Sequence, residues 1–476
     1  VRGSDGMATV PADGRPRHHW ARTVRHNAAM ILRHPTTSHH ASGGGPNAQH
    51  AQPARPRTRH LPAVACMVAG AAMVLASCGS SSSARVVGAG SPAPAGLPAF
   101  YAVPSSLPSA PGQLVKYEKV AAAGVHGTAY RVMYTSRDQQ GRTVVVTGLV
   151  YVPDRPAPPG GYRIVDWAHG TNGMTNQCAP SLTPGSAVPS LNALLDQGWE
   201  VTASDYQGEG TPPGLLAYLV GDMAGWNTID IVRAVQHMAP AHASTTYVVW
   251  GHSEGGQTAM FAWQLGPRTA PGLHLAGVVA GAPPSQFAFI YQALLHSPFD
   301  FYLFMAAAGF HQAYGAAAPL SAVLTPTATS LLPVLRDGCY GEIQHALAHY
   351  QLTDLIKQDP FTVPQWKSLI TASDPGAFTT GSHVPLLIIQ GAQDEQIPVI
   401  STQLLASHLC AIGQEVQRWI YPGQSHAGVI GPSTPDMVHW IADRFAGGSF
   451  PDPVQPTGLP GVLDQDCQTP GGFTTP

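Results

Sequence analysis

Two stretches near residue 130, GTAYRVMYTS and RTVVVTGLVYVP, alternate apolar and polar positions around a turn-forming Asp138-Gln139-Gln140-Gly141. Alternation with period two on both sides of a turn predicts an antiparallel pair, placed here at a sheet edge. Downstream the pattern changes. YRIVDWAHG, GWEVTASD, TTYVVWG, HLAGVVAGAP and VPLLIIQGAQD are short strand-like runs, with helices expected around 188–197, at about 222–238 and from Glu254 onward. Strands alternating with helices predict an α/β fold with a mostly parallel central sheet flanked by helices. Between Pro284 and about Pro375 the alternation stops. That segment is rich in rings (Phe287, Phe289, Tyr291, Phe299, Phe301, Tyr302, Phe304, Phe310) and reads as a helical insert. Most of these rings are expected in the insert's own core, and some in a pocket.

The N-terminal part follows neither period. Residues 1–54, rich in His, Arg, Pro and Gly, read as a disordered leader or an over-extended start. Residues 55–77 place Arg55, Arg57 and Arg59 before the apolar run LPAVACMVAGAAMVLAS. The run is shorter than the roughly 20 residues of a membrane-spanning helix and has the shape of a signal peptide. It ends in Leu75-Ala76-Ser77-Cys78, followed by Gly79 and serines, a pattern like the bacterial lipobox in which Cys78 would be diacylated. Residues 78–111, mostly Ser, Ala, Pro and Gly, read as a tether from that lipid anchor to the body. An exported protein is expected, either a cell-envelope lipoprotein held to the membrane or an extracellular one.

Charge sharpens this division. Residues 1–77 hold nine of the 24 basic residues and two of the 27 acids, which leaves 15 basic against 25 acidic from Cys78 onward. A body with a net charge of −10 repels phosphate backbones, which argues against a nucleic-acid partner. Of six cysteines, Cys66 lies in the signal segment and Cys78 is assigned to lipidation. Cys178, Cys339, Cys410 and Cys467 remain, an even set in an exported chain, so two disulfides are expected with three connectivities open. No Cys-x-x-Cys spacing suggests a metal site.

The candidate chemistry centres on VVWGHSEGG. It puts Ser253 between Gly251 and Gly255 where a strand turns into a helix, the setting of a nucleophile elbow. A serine needs a base, a group to orient the base, and donors for the developing oxyanion. LLIIQGAQDEQIP supplies Asp394 just beyond a strand, with Glu395 beside it, and Asp374 before the strand fits worse. RWIYPGQSHAG supplies His426 in a loop 32 residues later, while His439 reads as structural. The order Ser, Asp, His is that of α/β-hydrolases. The oxyanion donors are expected to be the backbone N–H of Glu254 and that of Thr171 or Gly170 in the DWAHGTNG loop. Asp205 in SDYQGEGTP reads as holding its loop together, and Asp230 with Arg233 as a helix-surface pair.

The stretches YRVMYTSRDQQGRTVVVTGLVYVP, HGTNGMTNQCAPS, SDYQGEGTPPG, GHSEGG, GAQDEQIP and GQSHAG resemble the secretory lipase (lipase-A-type) family of α/β-hydrolases. The resemblance implies a serine carboxylic-ester hydrolase, a lipase or esterase, with Ser253, Asp394 and His426 as its triad. It also implies disulfides Cys178–Cys339 and Cys410–Cys467. The implied organisation is a hydrolase core at 112–284 and 376–445, a cap or lid insert at 285–375, and a disulfide-tied tail at 446–476. Such an enzyme takes lipid or acyl-ester substrates, needs no metal or organic cofactor, and is expected to be a monomer. An acyltransferase using the same triad, a peptidase, and an idle lipid-binding lipoprotein are the alternatives. The lipid anchor departs from the fungal pattern.

Overall fold

The computed structural model describes residues 86–448, 450, 456 and 459–468. The leader, the signal segment and Cys78 lie outside the described residues. Among those described, ten strands form one sheet in the order β1-β2-β3-β5-β4-β6-β7-β8-β9-β10. In chain order they are β1 (Leu114–Val120), β2 (Gly127–Arg137), β3 (Thr143–Pro153), β4 (Tyr162–Ala168) and β5 (Glu200–Ser204). There follow β6 (Ala243–His252), β7 (His274–Gly281), β8 (Leu386–Gly391), β9 (Val416–Tyr421) and β10 (Leu463–Asp466). Strands β5, β4, β6, β7, β8 and β9 run parallel to one another, and the remaining pairings are antiparallel.

The main helices are α1 (Leu191–Leu195), α2 (Gly221–Val235), α3 (Glu254–Thr269), α4 (Phe287–Leu294) and α5 (Phe301–Tyr314). They continue with α6 (Tyr340–Leu347), α7 (Pro364–Ala372), α8 (Val399–Ala411) and α9 (Ile430–Ala446). The parallel strands are buried nearly end to end, as in β7 and β8, because helices cover them on both sides. One apolar cluster joins α2, α3 and α8 to the sheet, and another joins α1 and α9 to it. Strand β4 enters first, β5 pairs on one side of it and β6 on the other. This is a topological switch point, and a crevice opens there beyond the carboxyl ends of β4 and β6. The HGT loop and Ser253 follow those two strands directly.

Three sequence readings are corrected here. The β2–β3 pair forms as expected, but β1 lies outside it, so β2 and β3 are not the edge. The segment read as a tether is packed from residue 86 onward. Val86, Phe100, Tyr101 and Val103 are buried with Met133 and Val145, and Lys116 Nζ donates to Ala102 O at 2.7 Å. The two rings supply the apolar area that its Ser/Pro composition concealed. Asp230 is not a surface residue: it is 1% exposed and accepts from Ser136 Oγ at 2.8 Å and from Arg233 Nη1 at 2.7 Å.

Between β7 and β8 the chain runs through α4 to α7 and several shorter helical turns. These build their own apolar cluster with Tyr206, Leu216 and Tyr218 from the loop before α2. Disulfides join Cys178 to Cys339, tying the loop after β4 to the start of α6, and Cys410 to Cys467, tying α8 to the segment after β10. Among the described residues, no helix is long and apolar enough to cross a membrane.

Candidate active site

Strand β6 ends at His252, and α3 starts at Glu254, so the whole turn falls on Ser253. Its backbone takes φ 61° and ψ −125°, a conformation that L-residues avoid. The neighbouring glycines make the turn fit. A Cβ on Gly251 would stand 2.0 Å from Gly255 O, and one on Gly255 would stand 1.9 Å from Ala168 O. The Ser253 hydroxyl makes no helix-capping hydrogen bond. The N-terminus of α3 directs its positive dipole end at the turn.

The structure brings Asp394 and His426 together. His426 Nδ1 lies 2.8 Å from Asp394 Oδ2, with the two residues 5% exposed each. The carboxylate is held on every side. Oδ1 accepts from Gln396 N at 2.9 Å and Ile397 N at 2.8 Å, and Oδ2 also accepts from Gln390 Nε2 at 2.8 Å. Glu395, a competitor by sequence, instead accepts from the His426 backbone N–H at 3.1 Å. Partial burial would raise its carboxyl, but that hydrogen bond and others outweigh it and hold it below the usual value. Asp374 caps the insert, accepting from Gln286 N at 2.9 Å and Phe287 N at 2.7 Å. His426 also faces His252, the residue before the serine, with ring centroids 4.7 Å apart. Burial, and then repulsion from the neighbouring His426 ring, push His252 well below its usual value.

The HGT loop passes beside the turn. A Cβ on Gly170 would lie 3.5 Å from Ser253 Cβ and 3.1 Å from His252 O, so only a bare backbone comes this close without adjustment. Thr171 Oγ1 is 2.9 Å from Tyr218 OH. The loop is anchored to the insert, because Tyr340 N donates to Asn172 O at 2.8 Å and Gly173 bridges to Cys339. Asp205 ties its own loop as expected, accepting from Thr147 Oγ1 at 2.7 Å and Ser181 N at 2.8 Å.

Ser253 and Glu254 open onto a cavity of about 920 Å³ including its mouth. Of the insert's rings, Phe287, Tyr291, Tyr302 and Phe310 line it together with Leu303, Ala307, Phe361 and Trp366. Phe301 and Phe304 are buried in the insert's own core. Tyr218, Glu254 and Gln396 are among the cavity's polar lining residues. Tyr302 OH donates to Gln396 Oε1 at 2.9 Å. Among the described residues, no group of three or more His, Cys, Asp or Glu is arranged to hold a metal ion.

Sequence reasoning missed the side chains around the loop: His169, Glu209 and Glu254 are 2%, 0% and 3% exposed. Nothing in the spacing of HGT, YQGEG and HSEGG indicates that these segments meet. Glu395 and His252 were visible only as neighbours of residues already chosen.

The sequence model of secretory lipases matches residues 181–452. Lipase A of Arthroderma benhamiae is 25% identical over 355 residues, covering 67% of this chain and 71% of that protein. A Mycobacterium tuberculosis protein named as a probable inactive lipase is 24% identical over 348 residues, covering 68% and 75%. Candida antarctica lipase A in its closed state is similar in fold, with a TM-score of 0.62 at 19% identity over 75% of this chain and 86% of that one. The central sheet with its flanking helices is an α/β-hydrolase fold.

Proposed function

Because the chain belongs to the secretory lipase family and is a carboxylic-ester hydrolase, we propose that it cleaves acyl esters through a serine acyl-enzyme. One observation carries this reading: the buried Asp394–His426 pair, at 2.8 Å, faces the residue next to a strained serine that opens on an apolar cavity. Ser253 Oγ attacks the ester carbonyl as His426 takes its proton, and Asp394 holds the imidazole in the right tautomer. The N–H groups of Glu254 and of Gly170 or Thr171 receive the oxyanion. Collapse expels the alcohol, which leaves with the proton from His426, and water then repeats the sequence on the acyl-enzyme. No step calls for a metal or an organic cofactor.

The cavity supports an apolar acyl chain, because most of its lining residues are aliphatic and aromatic. The insert serves as the cap over that chain. The two disulfides fit an exported protein, and we assign it to the cell envelope through lipidated Cys78.

The test is hydrolysis of p-nitrophenyl esters of increasing chain length by the wild type and Ser253→Ala. The variant should lose on the order of 10⁶ in kcat, as in other serine triads. Equal rates would sink the assignment. A relative named as a probable inactive lipase makes an idle scaffold the second reading. Rapid labelling of Ser253 by a fluorophosphonate excludes that reading, and no labelling establishes it. Ester products formed with a competing alcohol would point to acyl transfer instead.

A further inference from the structure

The acyl-transfer cycle makes no use of three buried titratable side chains that meet behind the HGT loop. His169, on that loop, stacks on the Tyr206 ring with centroids 4.1 Å apart. Its Nδ1 lies 2.8 Å from Gly170 O, and its Nε2 lies 3.1 Å from Glu209 Oε2. Nδ1 also lies 3.1 Å from Asn172 Nδ2, so it is the Glu209 carboxylate beside Nε2 that favours the imidazolium form. Neither Glu209 oxygen has a hydrogen-bond partner, and its 3.1 Å approach to His169 Nε2 is an ion pair when the ring is protonated. The Glu254 carboxyl reaches the same place from the first turn of α3 and engages the Thr171 hydroxyl. Its Oε2 has no hydrogen-bond partner.

Counting charges decides the protonation. The groups facing Glu254 are His169 and Thr171 from the HGT loop, Glu209, Tyr206 and Tyr218 from the loop after β5, and Tyr302 from the insert. Asp205 stands behind His169 and Glu209. His169 is the one cation among them, and Glu209 already takes it. A second bare carboxylate in this dry wall would have no counter-charge and would repel the negative charge that develops at the oxyanion.

We propose that Glu254 is a positioning residue, kept as an uncharged carboxylic acid beside the His169–Glu209 ion pair, which holds Thr171 and leaves the oxyanion site free of opposing charge. This rests on the serine-esterase reading given above. Burial, and the nearby Glu209, push the Glu254 carboxyl up to about 8, against the pull of His169. Burial lifts Glu209 to about 7. Burial disfavours the His169 charge, but the Glu209 carboxyl outweighs this and brings it to about 9. The proton on Glu254 therefore leaves in the mildly alkaline range.

The experiment is a pH profile of kcat and KM for p-nitrophenyl butyrate hydrolysis between pH 6 and 10. With a group at about 8, wild-type kcat should fall about 30-fold between pH 7 and 9.5, with KM little changed. Glu254→Gln, uncharged throughout, should stay within about threefold of its own pH 7 value. Glu209→Gln removes a charge that repels one on Glu254 and also the carboxylate that sustains the His169 charge, so the wild-type decline should move along the pH axis. A purely structural role would lower activity without moving the profile. A Glu254→Gln decline as steep as the wild type's, or a wild type flat to pH 9.5, would overturn the proposal. If Glu254→Gln does not fold, a Glu209→Gln profile that coincides with the wild type's overturns the proposal. Fluorophosphonate labelling of wild-type Ser253 at pH 7 is read in parallel. Its failure refutes the serine reading, whereas normal labelling with an unmoved profile refutes this inference alone.

Discussion

The strain at Ser253 can be measured apart from catalysis. At φ 61° and ψ −125° the side chain pays a steric penalty that glycine would not. Such a residue stores about 1–3 kcal/mol. Glycine gives some of this back by loosening the unfolded chain, about 0.5–1 kcal/mol. The Ser253 hydroxyl caps nothing, and the Ser253 N–H bond to Gly281 O at 2.9 Å is backbone to backbone. Neither substitution therefore removes a hydrogen bond that supports the fold. Ser253→Ala keeps the Cβ and the strain, and Ser253→Gly releases it. Both lack the hydroxyl, so any difference between them reports conformation alone. The glycine variant should be more stable by about 1 kcal/mol, the strain less the entropy. Urea unfolding followed by tryptophan fluorescence measures this as a higher midpoint at unchanged slope. A glycine variant no more stable than the alanine one would show that the elbow is not strained. The expected result would mean that the fold gives up stability to present its serine, as active sites commonly do.

Other expectations follow from single contacts. Asp394→Asn keeps the size but not the charge facing His426 Nδ1, and kcat should drop about 10⁴-fold, by analogy with other serine triads; a drop under tenfold in steady-state assays would refute its role. Replacing Cys178 and Cys339 with Ser opens a 161-residue loop, and by chain entropy should cost about 5 kcal/mol, against about 4 for the 57-residue Cys410–Cys467 loop. The first pair should also lower kcat, because it ties the HGT loop to the insert; equal kcat in the two double variants would contradict that. Glu200 is 0% exposed and neither of its oxygens has a hydrogen-bond partner. Burial raises its carboxyl well above the usual value, so the folded chain keeps a proton that the unfolded chain releases. Its contribution is full below about pH 4.5 and is lost as pH rises toward the folded value. Glu200→Gln should gain over wild type between pH 5 and 8, by about 2 °C or more in Tm; a constant gap across that range would refute the sign.

The sequence by itself determined what depends on local geometry and chain order. Gly251 and Gly255 around Ser253 announce a turn that only small neighbours allow, and apolar runs such as VPLLIIQG announce strands buried on both faces. The order Ser253, Asp394, His426 was legible because each follows a strand, and parallel strands deliver such residues to one end of the sheet. Edge strands were not. LVKYEKV in β1 is half exposed and charged, and LDQD in β10 is four residues long, so neither carries an apolar signal. Strand β10 owes its place to partners far along the chain, among them Arg418 Nη1, which donates to Gln465 Oε1 at 2.7 Å.

Only the tertiary structure decided which polar residues lose their water. Asp230 looked like a surface acid until Ser136, 94 residues away, was placed against it. His169, Glu209 and Glu254 looked unremarkable in three separate motifs. Folding puts them in one dry wall beside the serine, and there each charge depends on its neighbours rather than on solvent. A hydrophobic pattern records burial along one element at a time. It cannot record which charges from distant segments will share a buried space, and the protonation of this site depends on that sharing.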